Sequence, residues 1–322
     1  IKFLSNNIAH GAFHNSGERF DPPKCHARTR EAVLRKIMDW AGETNTSSPI
    51  LWMYGPAGSG KSAIAQTISE TCYAKKRLIG SYFFSRTVPK RNSAKNLIAT
   101  LAYQMSLSIP QTRPILNKIV DNDTSILHLS LEIQIEVLII RPLIEAVASC
   151  GNECVAWPNL IIIDGLDECS DHNIQRAIIV TLSSSIRNRK VPLSILITSR
   201  PERSIRNAFN LPEVNNISLS LVLDDSFNPD SDIKIFLVDK FDEIKHQHPL
   251  AYHIKTNWPS EDEISQLVSK SSGQFIYAAT TMKFVGSYSH RPQERLNIIL
   301  GLSVAGNEVP FAELDCLYRY IL

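Results

Sequence analysis

An α/β fold, with a parallel sheet sandwiched by helices and followed by an all-helical domain, is what this sequence predicts, on three observations. A glycine-rich loop, Gly55-Pro56-Ala57-Gly58-Ser59-Gly60-Lys61-Ser62, lies between an apolar run, Ile50–Tyr54, and a helical pattern from Ala63 onward. A second apolar run, Leu160–Ile163, ends in the carboxylates Asp164, Asp167 and Glu168. Beyond about residue 224 strand-like runs disappear and amphipathic helical patterns take their place. Strands alternating with helices argue for a parallel sheet covered on both faces.

The elements follow in order. Residues 1–28 are mixed and carry little periodicity, with a stiff extended stretch at Asp21-Pro22-Pro23-Lys24. Thr29-Arg30-Glu31 opens an amphipathic helix that places Val33, Leu34, Ile37, Met38 and Trp40 near one face. The polar stretch Glu43 to Pro49 reads as a loop into the first strand. After the glycine-rich loop a helix runs to about residue 75, and Leu78–Phe84 reads as the second strand. Ser93 is placed to cap the next helix, which buries Leu97, Leu101, Ala102 and Met105 and stops at Pro110. A short helix at about 113–120 precedes a longer one at about 130–148, where Pro142 predicts a kink.

Leu160–Ile163 is the continuous aliphatic run expected of a parallel strand buried on both faces. A helix over about 172–187 follows, and Leu193–Thr198 and Ile217–Val222 read as the last two strands. Helices are expected next at roughly 230–245, 261–271, 274–287, 292–300 and 311–322. His246, His248 and His253 lack the carboxylate or cysteine partner of a metal site and read as an exposed polar loop. Phe275, Tyr277, Phe284 and Tyr288 fit helical spacing and read as core.

Composition bounds the partners. The 322 residues are 43% hydrophobic, enough for one large or two to three smaller domains. Lys+Arg of 34 against Asp+Glu of 32 gives a net charge of +2, which argues against a dedicated binder of nucleic acid or acidic lipid. The six cysteines include no C-x-x-C pair, and Cys150 and Cys154 have no neighbouring His or Cys to complete a zinc set; reduced thiols in a cytoplasmic protein are expected. No apolar run approaches a membrane span, since Val137–Ile140 is broken at Arg141-Pro142. The start at Ile1 and the stop at Leu322 inside an apolar pattern lead us to expect a piece of a longer protein.

The spacing Gly, four residues, Gly-Lys-Ser between strand and helix is that of a phosphate-binding loop. Its glycines let successive N–H groups turn inward on an anion, and the following helix adds the positive end of its dipole. Gly55, Pro56, Ala57, Gly58, Ser59 and Gly60 would form the cradle, Lys61 would reach the β- and γ-phosphates, and Ser62 would bind Mg²⁺. Such a loop asks for an acidic partner on an adjacent strand. Asp164 suits that part as the second Mg²⁺ ligand, and Asp167 or Glu168 could activate a water. Arg200 ends the next strand, where a cation could sense a γ-phosphate.

These three stretches, Gly55–Ser62, Ile161–Glu168 and Leu196–Pro201, resemble the NACHT NTPases of the STAND class of P-loop ATPases, in particular the nephrocystin-like N-terminal modules of fungal NOD-like proteins. Glu18–His26 and Thr29-Arg30-Glu31 resemble the entry segment of that family. Trp258-Pro259 and Gly273–Thr280 resemble its helical domain, and Leu314–Tyr318 resembles the passage toward its winged-helix region. The resemblance implies an entry segment and helix at 1–45, a P-loop nucleotide-binding domain at 46–223, a helical domain at 224–290, and at 291–322 helices leading to a winged-helix region beyond the chain end.

It also implies a switch that holds ADP when closed, exchanges it for ATP, self-associates when activated and hydrolyses slowly. Effector and sensor domains would lie elsewhere on the same longer chain. Thr29 and Arg30 would lie near the base and ribose. Phe275 stands where many relatives carry the proline of a Gly-x-Pro motif, so ATP/ADP is expected with GTP left open. Two other readings stay open. One is an actively cycling P-loop ATPase or kinase, although 86–130 offers only Arg86, Arg91 and Arg113 toward an arginine-rich lid. The other is a degenerate scaffold acting through protein–protein contacts, against which Lys61, Ser62, Asp164 and Glu168 weigh.

Overall fold

Five parallel strands form one sheet in the computed structural model of this chain, which describes residues 1–43, 47–150, 157–187, 193–302 and 311. They are β1 (Ile50–Tyr54), β2 (Leu78–Phe83), β3 (Leu160–Asp164), β4 (Ser194–Ser199) and β5 (Ser218–Val222), in the order β2-β3-β4-β1-β5. β1 to β4 are buried almost throughout because helices flank them, as the aliphatic runs require; β5, at one edge, leaves Leu219 exposed. Ile195, Leu196 and Ile197 of β4 lie opposite Ile50, Leu51 and Trp52 on one side and Ile161, Ile162 and Ile163 on the other. β4 thus separates the strand that feeds the glycine-rich loop from the strand that ends in Asp164, correcting the expectation of adjacent strands. Strand order depends on which way each crossover turns, and apolar runs do not encode that.

The chain divides into two units: 1–24, 34–56 and 61–222 in the first, and 25–33, 57–60 and 223 onward in the second. In the first, the helix Lys61–Ala74 packs against β2, β3 and β4, and Leu97–Ser108 packs against β2. Leu97, Leu101, Ala102 and Met105 join Ile161, Ile163, Ile178 and Leu182 in the core, each large aliphatic side chain contributing roughly 1.5–3 kcal/mol. β2 is an edge strand, and Gln104 satisfies part of that edge. Its Oε1 accepts the Ser81 N–H at 3.0 Å and its Nε2 donates to the Ser81 carbonyl at 2.8 Å.

Several local expectations are revised. Residues 1–28 are not featureless: Lys2–Ser5 and His10–Ala12 are helical turns, and Leu4, Ile8, Ala9 and Ala12 are core residues. Ser93 precedes a 3₁₀ turn, Ala94–Asn96, without a side-chain cap bond. The kinked helix is Leu131–Ile135, a π turn at Glu136–Ile140, then Arg141–Cys150. Pro142 has no N–H to give the Leu138 carbonyl, and the widened turn absorbs that loss. Arg203–Phe209 and Pro212–Asn215 are helices too short to show a period.

The second unit gathers Pro229–Gln247, Glu261–Ser271, Phe275–Val285 and Pro292–Leu300 around Ile233, Leu237, Phe241, Leu267, Val285 and Leu296. Ser260 and Glu263 form a reciprocal capping box at the second of these helices. His248 is buried rather than exposed: its Nδ1 accepts the Leu250 N–H at 3.1 Å, which leaves Nε2 to donate to the Ser287 carbonyl at 3.2 Å. Tyr288 is exposed rather than core. The helix expected at 311–322, with Leu314–Tyr318, lies outside the described residues except for Phe311, which stacks on Tyr277. Among the described residues Cys72 and Cys169 are buried free thiols, and no helix is long and apolar enough to cross a membrane.

Candidate functional site

β1 ends at Tyr54, the chain turns through Gly55, and a helix starts at Lys61. Between them Gly58 and Gly60 adopt φ of +75° and +92°, conformations that side chains disfavour. A Cβ at Gly58 would fall 2.4 Å from Ile276 Cγ2. The Lys61 ammonium curls back on its own loop, donating to the carbonyls of Gly55 at 2.9 Å and Pro56 at 2.7 Å. Burial pushes its pKa down, while Asp167 and then Asp164 oppose that shift.

At the end of β3, Asp164 is 4% exposed. Burial pushes its carboxyl up, opposed by hydrogen bonds from the Thr198 and Ser62 hydroxyls and by the charges of Arg19 and Lys61. Gly165, at φ +70°, then turns the chain into the 3₁₀ turn Leu166–Glu168, its N–H donating to Thr198 Oγ1 at 3.1 Å. Asp167 accepts the Arg200 N–H at 2.9 Å and lies 3.3 Å from Arg200 Nε. Glu168 Oε2 accepts the Arg86 N–H at 3.0 Å. Burial raises the Glu168 pKa, the Arg86 hydrogen bond opposes, and Asp167 and Asp164 raise it further.

The first unit therefore brings Gly55, Pro56, Lys61, Ser62, Asp164, Asp167, Glu168 and Arg200 into one neighbourhood. It adds three residues to which sequence reasoning gave no role. Thr198 was legible as a polar break at the end of an aliphatic run. Arg86 acts through its main chain, for which sequence carries no signal. Arg19 stacks over the Phe83 ring at 3.7 Å, donates to Gln66 Oε1 at 2.7 Å, and is lowered by burial to about 10.

In the second unit Arg30, at φ +57°, braces the loop's middle. Its Nη2 donates to the Ser59 carbonyl and its backbone N–H to Asp232 Oδ2, each at 3.0 Å, and its guanidinium lies 4.9 Å from the Phe275 ring centroid. Arg30 Nε and Nη1 and Ser59 Oγ are buried without a hydrogen-bond partner, donors that a ligand could satisfy. Thr29 is turned to the His26 carbonyl at 2.7 Å, so its hydroxyl stabilises a local turn.

No group of three or more His, Cys, Asp or Glu forms a metal cage among the described residues. The sparse oxygen pair of Ser62 and Asp164 suits Mg²⁺, which takes one or two protein ligands and completes its shell with water and phosphate.

The family model described as nephrocystin 3, N-terminal, matches residues 28–200. No curated protein matches the chain. Among similar solved structures is one described as the structure of C. elegans PCH-2, at 12% identity and a TM-score of 0.41, covering 85% of this chain and 68% of that one.

Proposed function

The chain belongs to the nephrocystin 3 N-terminal family, and on that premise we propose that it is a nucleotide-dependent switch that takes ATP or ADP, or the guanine counterparts, with Mg²⁺. One observation carries the reading: a half-buried Lys61 ammonium rests on two carbonyls of its own loop, facing Asp164 and Asp167. A phosphate offers that ammonium full charges in place of carbonyl dipoles, so the cradle gains by exchanging its contacts.

In this reading the amides of Ala57, Gly58, Ser59 and Gly60 surround the phosphates, and Ser62 with Asp164 holds Mg²⁺, which neutralises phosphate charge. Asp167 anchors Arg200, whose remaining N–H groups face the γ-phosphate. Glu168 is the better candidate to deprotonate water, because burial makes it the stronger base while Asp167 is paired with Arg200. Arg30 Nη1, buried without a hydrogen-bond partner, serves the base or ribose. All three carboxylates already accept hydrogen bonds from this chain, which favours a slow, stored state over rapid turnover. Self-association on activation, with effector and sensor domains on a longer chain in the cytoplasm, completes the reading.

Fluorescent-nucleotide titration with and without Mg²⁺ tests it. Lys61→Ala should weaken binding at least about 100-fold with the fold kept, corresponding to roughly 3 kcal/mol of charge-assisted contact. ADP retained through purification supports a switch. Sustained turnover near the median enzyme rate, about ten per second, would refute it.

A further inference from the structure

Each carboxylate at the end of β3 takes its hydrogen bond from a different place. Asp164 is held by Thr198 of β4 and by Ser62, and Asp167 by Arg200 directly after β4. Glu168 instead reaches the opposite neighbour, the loop after β2, where the Arg86 N–H meets Oε2 at 3.0 Å. We propose that the main-chain amide of Arg86 is a positioning group for Glu168, fixing one carboxylate oxygen so that the other is presented to water. The proposal rests on the hydrolytic reading above.

The geometry of the loop carries it. Arg86 closes on the 165–168 turn twice, since its Nη2 also donates to the Asp167 carbonyl at 3.3 Å. The loop itself is tied down at several points. Ser85 N–H donates to the Arg91 carbonyl at 3.1 Å, Arg91 Nε to the Phe83 carbonyl at 3.0 Å, the Tyr82 hydroxyl to the Lys90 carbonyl at 2.9 Å, and Ser170 N–H to the Asn92 carbonyl at 2.9 Å. A donor on so braced a segment holds direction better than a side chain on free rotors. The charged groups facing Glu168 are Asp164, Asp167, Lys61, Arg91 and Arg200. None of them hydrogen-bonds its carboxylate, so the amide is the directional contact.

Because the donor is main chain, side-chain truncation and amide deletion separate its two contacts. Arg86→Ala removes only the guanidinium; Arg86→Pro removes the N–H as well. With nucleotide affinity measured alongside turnover, the proline variant should lose at least about tenfold more turnover than the alanine variant, with affinities within about twofold of each other. Equal turnover in the two overturns the proposal. If the proline variant fails to fold, amide hydrogen exchange on the nucleotide-free chain decides. The Arg86 amide should exchange at least about tenfold faster in Glu168→Ala than in wild type, with no such change in Asp167→Asn. Unchanged exchange in Glu168→Ala overturns it. A wild-type chain that binds no nucleotide refutes the functional reading instead, and the exchange result still decides the contact.

Discussion

Thr198→Val deletes a hydroxyl with two partners and keeps the side-chain shape. The residue is fully buried; Oγ1 donates to Asp164 and accepts the Gly165 N–H at 3.1 Å. A hydrogen bond to a charged group contributes about 1.5–3 kcal/mol, and an N–H left unsatisfied in the interior costs a further ~1–3 kcal/mol. Partial relaxation lowers the sum, so a loss of about 3 kcal/mol is expected, a large share of the roughly 5–15 kcal/mol that holds a domain together. Urea denaturation followed by tryptophan fluorescence should show a lower midpoint at unchanged slope. Repeating the substitution in an Asp164→Asn background separates the two partners. There the lost bond is neutral, about half as strong, and the loss should shrink by roughly 1 kcal/mol while the Gly165 part persists. A loss under about 0.5 kcal/mol, or one equal in the two backgrounds, refutes the assigned role of Thr198.

Three further outcomes are expected. His14, lowered by burial to about 4 against 6.5 unfolded, favours the unfolded state as protons are added. Its stabilisation is therefore complete above about pH 6.5 and fades toward pH 4, a change of about 2–3 kcal/mol in urea stability that His14→Gln should flatten. Gly58→Ala should cost about 1–2 kcal/mol from its left-handed backbone alone. Melting of the double variant with Ile276→Ala should recover part of the additional loss from the 2.4 Å clash; strictly additive losses would deny the contact. Glu168, held above the ordinary carboxylate range, must lose its proton to act, so the acid limb of turnover should lie above that range. Glu168→Gln should lower turnover by about 10²–10⁴-fold and abolish the limb, and a limb that survives would assign it elsewhere.

The sheet was readable because parallel strands covered on both faces must be aliphatic throughout, as at Leu160–Ile163 and Ile195–Ile197. The loop was readable because its glycines and Lys61 are local in sequence. What escaped depends on distant partners. Ala9 is core, and its N–H meets Thr100 Oγ1 of the helix Leu97–Ser108 at 3.0 Å, a contact that no window around residue 9 contains. His248 looked exposed because its neighbours are polar, yet it is buried with both ring nitrogens satisfied. Arg86 contributes an N–H that every residue but proline owns, so its identity carries no trace of the role.

The shared register of β4 sets a limit on chain length. Ile195, Leu196 and Ile197 are matched at once to β1 and β3, and Thr198 and Arg200 follow at fixed steps of about 3.3 Å. One residue inserted or deleted within Ser194–Ser199 would invert the alternation and turn Thr198 away from Asp164. Neither neighbour could follow, because each would have to slip in step with the other. Length variation between relatives should therefore be absent from this strand and collect in the segments that join strands to helices, which makes β4 a fixed reference for aligning divergent members of the family.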